Sequence, residues 1–255
     1  MNPARVFVLS LDRTPERFAT FQSFNAHLAQ IDRVSAIDGA TLDIPHLIDI
    51  GFVAPGFTLE FYHSPELGLA LSNLALWGYA IKNGAPITIA EDDAIFNHHF
   101  ELSAKAVLRS MPAQWDFILW GFNFDSWVWF DALPGTSWVT AQFDQNTLRN
   151  GITAFQEQTI EPRAYPIKRA FGTPCYSISP RGAFKLLSRI LPLSPLIVPG
   201  NVPTIGFDVQ LNVVYTRDSY VCFPPLVVTK NEQEHSTLRG NKNNPEPGRG
   251  PIRKA

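Results

Sequence analysis

The chain has 255 residues, a mass of 28.5 kDa and 45% hydrophobic residues, enough to bury one large core and, by length, compatible with one or two domains. A formal net charge of -2 and a pI near 6.3 give no general attraction to nucleic acid, so an anionic ligand must be met by a local site. Two cysteines, Cys175 and Cys222, argue against a disulfide framework and against thiolate-bound zinc, and they fit a reducing compartment, with a single bridge left open.

Met1 to Arg5 lead straight into an apolar strand, Val6 to Leu11, which Asp12 and Arg13 interrupt before a secretion signal and cleavage site can be built. Thr14 and Pro15 then read as the N-cap and first residue of a helix, with Phe18, Phe21 and Leu28 along one side. Ile31 to Ile37 is a second strand, closed by Asp38-Gly39, a dipeptide suited to a tight turn with positive φ. After a Pro- and Gly-punctuated loop, Ser64-Pro65 opens a long helix. Its stripe runs Leu67, Leu71, Leu74, Trp77 and Ile81, and Gly84 with Pro86 ends it. Pro86 to Ala90 is a buried strand that runs into three consecutive acids, Glu91, Asp92 and Asp93.

Trp115 to Gly121 predicts a further buried strand. Asn123 to Gly135 has turn residues and no clear period, so it reads as an irregular loop whose aromatic side chains either pack in the core or stack on sugar rings. Gln142 to Tyr165 reads as a polar surface excursion. Gly172 to Ile178 is a strand, and Ser179-Pro180 starts a helix through Leu191. Asp208 stands at the head of an apolar element, Val209 to Val214, and Tyr220 to Val228 is a strand that Pro224 and Pro225 put at an edge or a bend. The longest apolar segment, Leu186 to Val198, is broken by Arg189, Pro192 and Pro195 and falls short of the roughly 20 residues a membrane span requires. Residues 239–255 are poor in apolar side chains and carry Arg239, Lys242, Arg249, Arg253 and Lys254, a tail expected to be disordered and suited to weak contact with an anionic membrane surface. The alternation of strands and helices predicts a layered α/β fold.

The acidic triplet is the strongest chemical signal. Two full negative charges about 6 Å apart repel by about 3 kcal/mol at an effective dielectric of ~20. Hard oxygen ligands at the mouth of a strand suit Mg²⁺ or Mn²⁺, which keep positions open for substrate phosphates. The alternative is a solvated loop whose carboxylates cap a following helix.

Several separated segments then converge on one family. Phe7 to Arg17 (FVLSLDRTPER), Ala36 to Gly39 (AIDG), Glu66 to Trp77 (ELGLALSNLALW), Ile89 to Asp93 (IAEDD) and Gly172 to Ala183 (GTPCYSISPRGA) together resemble glycosyltransferase family 25, which includes lipooligosaccharide and collagen galactosyltransferases. The resemblance covers most of residues 5–237. It implies a single GT-A-like, Rossmann-like domain with a mixed central sheet over residues 1–238, a nucleotide-diphosphate sugar donor (usually UDP-galactose), Mn²⁺ dependence and inversion at the anomeric carbon. Two positions depart from the family pattern: Ser72-Asn73 stands where Ser-His is usual, and Ser10 where the first strand usually ends in Asn. Asn73 hydrogen-bonds but carries no proton near neutral pH.

On this resemblance Asp93 is the chief metal ligand, and Glu91 lies on the same side if the strand continues through the triplet. Glu91 would bind the metal, its water or the donor ribose, while Asp92 points away and supports the turn at the donor site. His235 is the candidate third ligand. Asp208 matches the family's late Asp and is the candidate base, with an N-cap as its alternative role. Ser10, Leu11, Arg13, Asp38, Gly39, Ser72 and Asn73 complete the expected donor site, with Arg13 and Arg17 either on the diphosphate or paired with surface acids. Trp127, Trp129, Gly172 and Thr173 are the expected acceptor side. The whole reads as a metal-dependent, inverting hexosyltransferase of bacterial surface-polysaccharide synthesis, cytoplasmic beside the inner membrane. The rivals are a catalytically silent sugar-nucleotide or glycan-binding module of the same fold and a nucleotidyltransferase. The second would show a Gly-rich phosphate loop that Ser10 to Arg17 lacks.

Overall fold

The computed structural model describes residues 5–56, 64–196 and 206–231. His235 and the segment 239–255 lie outside these residues. The first half of the chain forms β1 (Arg5–Ser10), α1 (Pro15–Phe24), β2 (Gln30–Ser35), α2 (Ile44–Asp49), α3 (Ser64–Asn83), β3 (Ile87–Glu91), β4 (Ala94–Phe96), α4 (Phe100–Ser110) and β5 (Phe117–Gly121). The second half forms β6 (Val128–Leu133), β7 (Ser137–Ala141), α5 (Gln145–Asn150), α6 (Ile152–Glu157), β8 (Arg163–Arg169), β9 (Cys175–Ile178), α7 (Pro180–Ile190), α8 (Phe207–Val214), β10 (Ser219–Phe223) and β11 (Val227–Thr229).

Nine strands make one mixed sheet in the order β2-β1-β3-β9-β5-β10-β8-β6-β7, and β11 pairs with β4 in a small second sheet. β1 lies parallel to β2 and β3, while β9 enters antiparallel between β3 and β5. β1, β3, β5 and β9 read as apolar runs because both faces of the sheet are covered. Alternation along β1 sends Phe7 and Leu9 into the core shared with α3, α7 and α8, and Val6 and Val8 into the core shared with α1 and α4. The long helix expected from Ser64 is α3, and its Leu67, Leu71, Leu74 and Trp77 are buried. The fold is therefore the expected Rossmann-like mixed α/β type.

Local expectations fail where tertiary contacts decide. Gly39 does not adopt positive φ. It opens a short 3-10 turn, Gly39–Thr41, that Asp38 caps through the Ala40 N–H, and a Cβ on Gly39 would lie 1.8 Å from the Ser64 carbonyl oxygen. This glycine exists for the close approach of the α3 N-terminus, not for a left-handed turn. Thr14 sits at the N-cap of α1 with Pro15 following, but its hydroxyl makes no cap bond and donates weakly to the Leu11 carbonyl at 3.5 Å. The aromatic region from Asn123 to Gly135 is not an irregular loop: it contains β6, which forms a hairpin with β7, and it buries Phe124, Val128 and Phe130. The supposed surface excursion holds α5, α6 and the start of β8. Its polar residues Gln145 and Gln156 are buried and bonded to backbone carbonyls, so their polarity misled the pattern. Pro224 and Pro225 mark a bend between β10 and β11; β10 itself is interior, between β5 and β8.

Asn25 shows how one polar side chain fastens this scaffold. It is fully buried, donates from Nδ2 to the carbonyls of Phe21 (2.9 Å) and Ala94 (2.8 Å), and accepts the Phe96 N–H at Oδ1 (2.9 Å). It thus joins the end of α1 to β4. Asn25→Ala strands buried partners at a cost of about 1–3 kcal/mol for each group left unsatisfied, so urea unfolding should show a loss of about 3 kcal/mol with unchanged m-value. A loss under about 1 kcal/mol would show that the bonds are replaceable by water.

Candidate active site

In open α/β sheets, ligands bind beyond the carboxyl ends of the parallel strands. β3 ends there in Glu91. The strand does not continue through the triplet, because Asp92 and Asp93 form a turn before β4. Asp92 is buried and its Oδ1 accepts the Arg17 Nε–H at 2.8 Å, so it supports the turn from the α1 side. Arg17 also reaches Asp93 at 4.0 Å. Asp93 keeps 41% of its side-chain surface open.

A second carboxylate arrives from α8. Asp208 lies inside the first turn of that helix, whose N-cap is Gly206, so it is not the cap. Its Oδ2 accepts the Gly172 N–H at 2.9 Å and its Oδ1 the Val209 N–H at 2.8 Å. The neighbour of Gly172, Thr173, donates its hydroxyl to Glu91 Oε1 at 2.9 Å. Two consecutive residues of the β8–β9 loop therefore hold both acids. Gly172 has φ +78°, and a Cβ there would lie 2.1 Å from Asn123 Oδ1, so the loop's path depends on glycine at this position.

Desolvation, and after it the charge of Asp93, push the Glu91 carboxyl up to about 8 against the pull of the Thr173 hydrogen bond, and Asp208 adds to the push. Desolvation also raises Asp93, opposed first by Arg17, and its open face lets solvent moderate that effect. The Thr229 hydroxyl on β11 pulls Asp93 down as well. Burial raises Asp208 against its backbone hydrogen bonds. Three acids thus share one electrostatic environment, and it disfavours full ionisation.

This donor set fits a hard divalent cation in part. Glu91 and Asp93 offer oxygen atoms, while Asp92 is engaged by Arg17. Among the described residues no group of three or more His, Cys, Asp or Glu side chains is placed to hold a metal. A cation held by one or two carboxylates, taking its other ligands from water and substrate phosphates, matches Mg²⁺ or Mn²⁺ usage.

The remaining expected donor residues fall into four groups. Arg13 and Asp38 pair with each other, Nε to Oδ2 at 2.7 Å, so this arginine meets a surface acid. Ser72 is buried and accepts the Ile37 N–H at 2.8 Å while donating to the Gly68 carbonyl at 2.7 Å, so it anchors the strand-end loop to α3. Ser10 is buried at the end of β1 with a hydroxyl that has no partner among the described residues, beside half-buried Leu11. Asn73 is 2% exposed. It accepts the Tyr176 hydroxyl at 2.7 Å and donates to the Leu69 carbonyl at 2.9 Å, while Trp77 Nε1–H donates to the same tyrosine oxygen at 2.8 Å. The side chain at position 73 is thus held inside the core, bonded to Tyr176 of β9.

On the acceptor side, Gly172 and Thr173 bind the acids themselves. Trp127 is 50% exposed, and Trp129 lies tilted against Trp138, ring centroids 5.8 Å apart, under the Arg169 guanidinium. No hydrogen bond or ring contact joins either tryptophan to Glu91, Asp93 or Asp208 among the described residues. The Trp77–Tyr176–Asn73 relay and Thr229 escaped sequence reasoning, since core-type residues carry no pattern that marks a polar task.

The two arginines near β1 differ in burial, and this is testable. Arg17→Met leaves Asp92 buried and unpaired, with an expected loss of about 2–4 kcal/mol in unfolding free energy. Arg13→Met breaks an exposed pair and should cost under about 1 kcal/mol. Equal effects in denaturant titrations would contradict the assigned supporting role of Arg17.

Residues 4–199 match the family described as glycosyltransferase family 25 (LPS biosynthesis protein). Comparison with curated proteins gives no match.

Proposed function

Because the chain belongs to glycosyltransferase family 25, we propose that it transfers a hexose, with galactose the first choice, from a UDP-sugar to a glycan hydroxyl with inversion. The acceptor in this reading is a bacterial lipopolysaccharide or surface polysaccharide, and the enzyme works in the cytoplasm beside the inner membrane. Among the described residues no helix is long and apolar enough to cross a membrane. The observation that carries the reading is the meeting of Glu91, from the end of β3, with Asp208, from the head of α8, on one loop.

An inverting displacement needs a base for the acceptor hydroxyl proton. Asp208 takes that role: two backbone N–H groups fix its carboxylate, and its raised affinity for protons suits a base. Glu91 and Asp93 would hold Mn²⁺ or Mg²⁺, which offsets the charge left on the departing diphosphate. Thr173 fixes the rotamer of Glu91, and Arg17 keeps Asp92 out of the crevice. The bonded, buried state of Asn73 favours a working enzyme over a silent binding module, since no substrate-facing group is missing there. Trp127 and Trp129 serve as the acceptor platform.

A panel of UDP-sugars tested for Mn²⁺-dependent UDP release should identify one productive donor, with turnover lost in excess chelator. Asp208→Asn should lower kcat by about 10²–10⁴ with donor binding kept. Asp93→Asn should weaken donor binding itself. Full activity in chelator, or the reverse pattern in the two variants, would overturn the assignments. Alanine at Trp127 or Trp129 should raise acceptor KM while leaving donor hydrolysis nearly intact; equal loss of both would place these residues in folding.

A further inference from the structure

A second polar recess lies away from the acidic crevice. Asp116 immediately precedes β5 and Asp218 immediately precedes β10, so both stand at the amino ends of parallel strands, whereas Glu91 closes the carboxyl end of β3. Here α7 and the segment after α8 enclose a pocket of about 370 Å³ lined by Arg181, Lys185, Arg189, Thr216, Arg217 and Asp218 among others.

The charges in this pocket are not evenly paired. Asp116 is fully buried and accepts Lys185 Nζ at 2.9 Å and the Thr216 hydroxyl at 2.7 Å, with Arg181 Nε at 2.8 Å. Asp218 takes the other side of Arg181 at 3.0 Å. Those two acids compensate Arg181 and Lys185 and fix their positions. Among the described residues Arg189 donates only to the Val214 carbonyl, at 3.3 Å, and Arg217 is 94% exposed with Asp218 at 3.8 Å. Two guanidinium groups therefore line the recess in excess of the acids, and guanidinium geometry matches phosphate oxygens.

The surroundings indicate where such a phosphate comes from. Arg181, Lys185 and Arg189 recur every fourth residue and so form one stripe of α7. Phe184, between them in sequence, is 65% exposed, and Val213 at the end of α8 is exposed too. An apolar side chain beside a basic stripe is the pattern of a surface that meets lipid headgroups.

We propose that this pocket is an anion site for a phosphate ester, placed to take it from the headgroup of an anionic lipid. Arg189 and Arg217 grip the phosphate, Lys185 adds its charge, and Phe184 enters the headgroup region. This goes beyond the transferase reading and does not depend on it, since it uses none of the residues assigned there.

The test uses the full chain with vesicles of phosphatidylcholine alone or with about 30 mol% phosphatidylglycerol, and calorimetric titration with inorganic phosphate. The expected result is binding to the anionic vesicles only, weakened about tenfold or more by Arg189→Gln/Arg217→Gln and unaffected by Lys105→Gln/Arg109→Gln, which removes equal charge from α4. Should the double variant fold poorly, Arg217→Gln alone should still weaken binding severalfold, because this side chain is almost fully exposed. Phosphate binding without vesicle binding would overturn the lipid source in favour of a soluble phosphorylated ligand. Absence of both, or equal loss in the α4 control, would overturn the site.

Discussion

The structure turns on bringing like charges together and keeping them there. Burial raises the cost of ionising Glu91, Asp93 and Asp208, the charges of Asp93 and Asp208 add to it at Glu91, and hydrogen-bond donors offset it at each acid. Gly172 and Thr173 supply two of those donors from adjacent positions. The topology explains how they can. Because β9 enters antiparallel between β3 and β5, the loop before it passes the end of β3, where the Glu91 N–H donates to the Pro174 carbonyl at 3.0 Å. The same loop then lies against the first turn of α8.

Behind the crevice the support is polar and buried. Trp77, Tyr176 and Asn73 form a chain of hydrogen bonds from α3 to β9, under the acids and out of solvent. Such networks hold one geometry because any broken member leaves an unsatisfied partner in a low dielectric. Arg17 performs a similar service for Asp92, while Asp93 keeps 41% of its side-chain surface open. These bonds hold the acids in fixed positions at the end of β3.

Membership of glycosyltransferase family 25 gives this arrangement a chemical purpose. In the proposed reaction the transferred sugar would leave behind a diphosphate, and the carboxylates of Glu91 and Asp93 would meet that anion through a cation. The basic pocket at the amino ends of β5 and β10 has the opposite character, with buried Asp116 ordering cations around a recess. The small net charge of -2 conceals this separation of sign between two regions of the molecule.

Apolar periodicity and helix-start chemistry determined β1, β3, β5, α3 and α7, because a run buried on both faces and a Ser179-Pro180 cap mean much the same in any context. The acidic cluster at the end of β3 was legible, but the division of tasks within it was not, since a carboxylate there can equally brace the turn, as Asp92 does through Arg17. The β6–β7 hairpin, the helices α5 and α6 and the true reason for Gly39 were not legible. Each depends on a partner distant in sequence: β8 for the hairpin, buried carbonyls for Gln145 and Gln156, and Ser64 for the glycine. Sequence alone likewise marked Asn73 as a departure but could not give it a place. Only the packing of α3 on β9 decided that it bonds Tyr176 inside the core, because burial and hydrogen-bond partners belong to the assembled chain and not to any one segment of it.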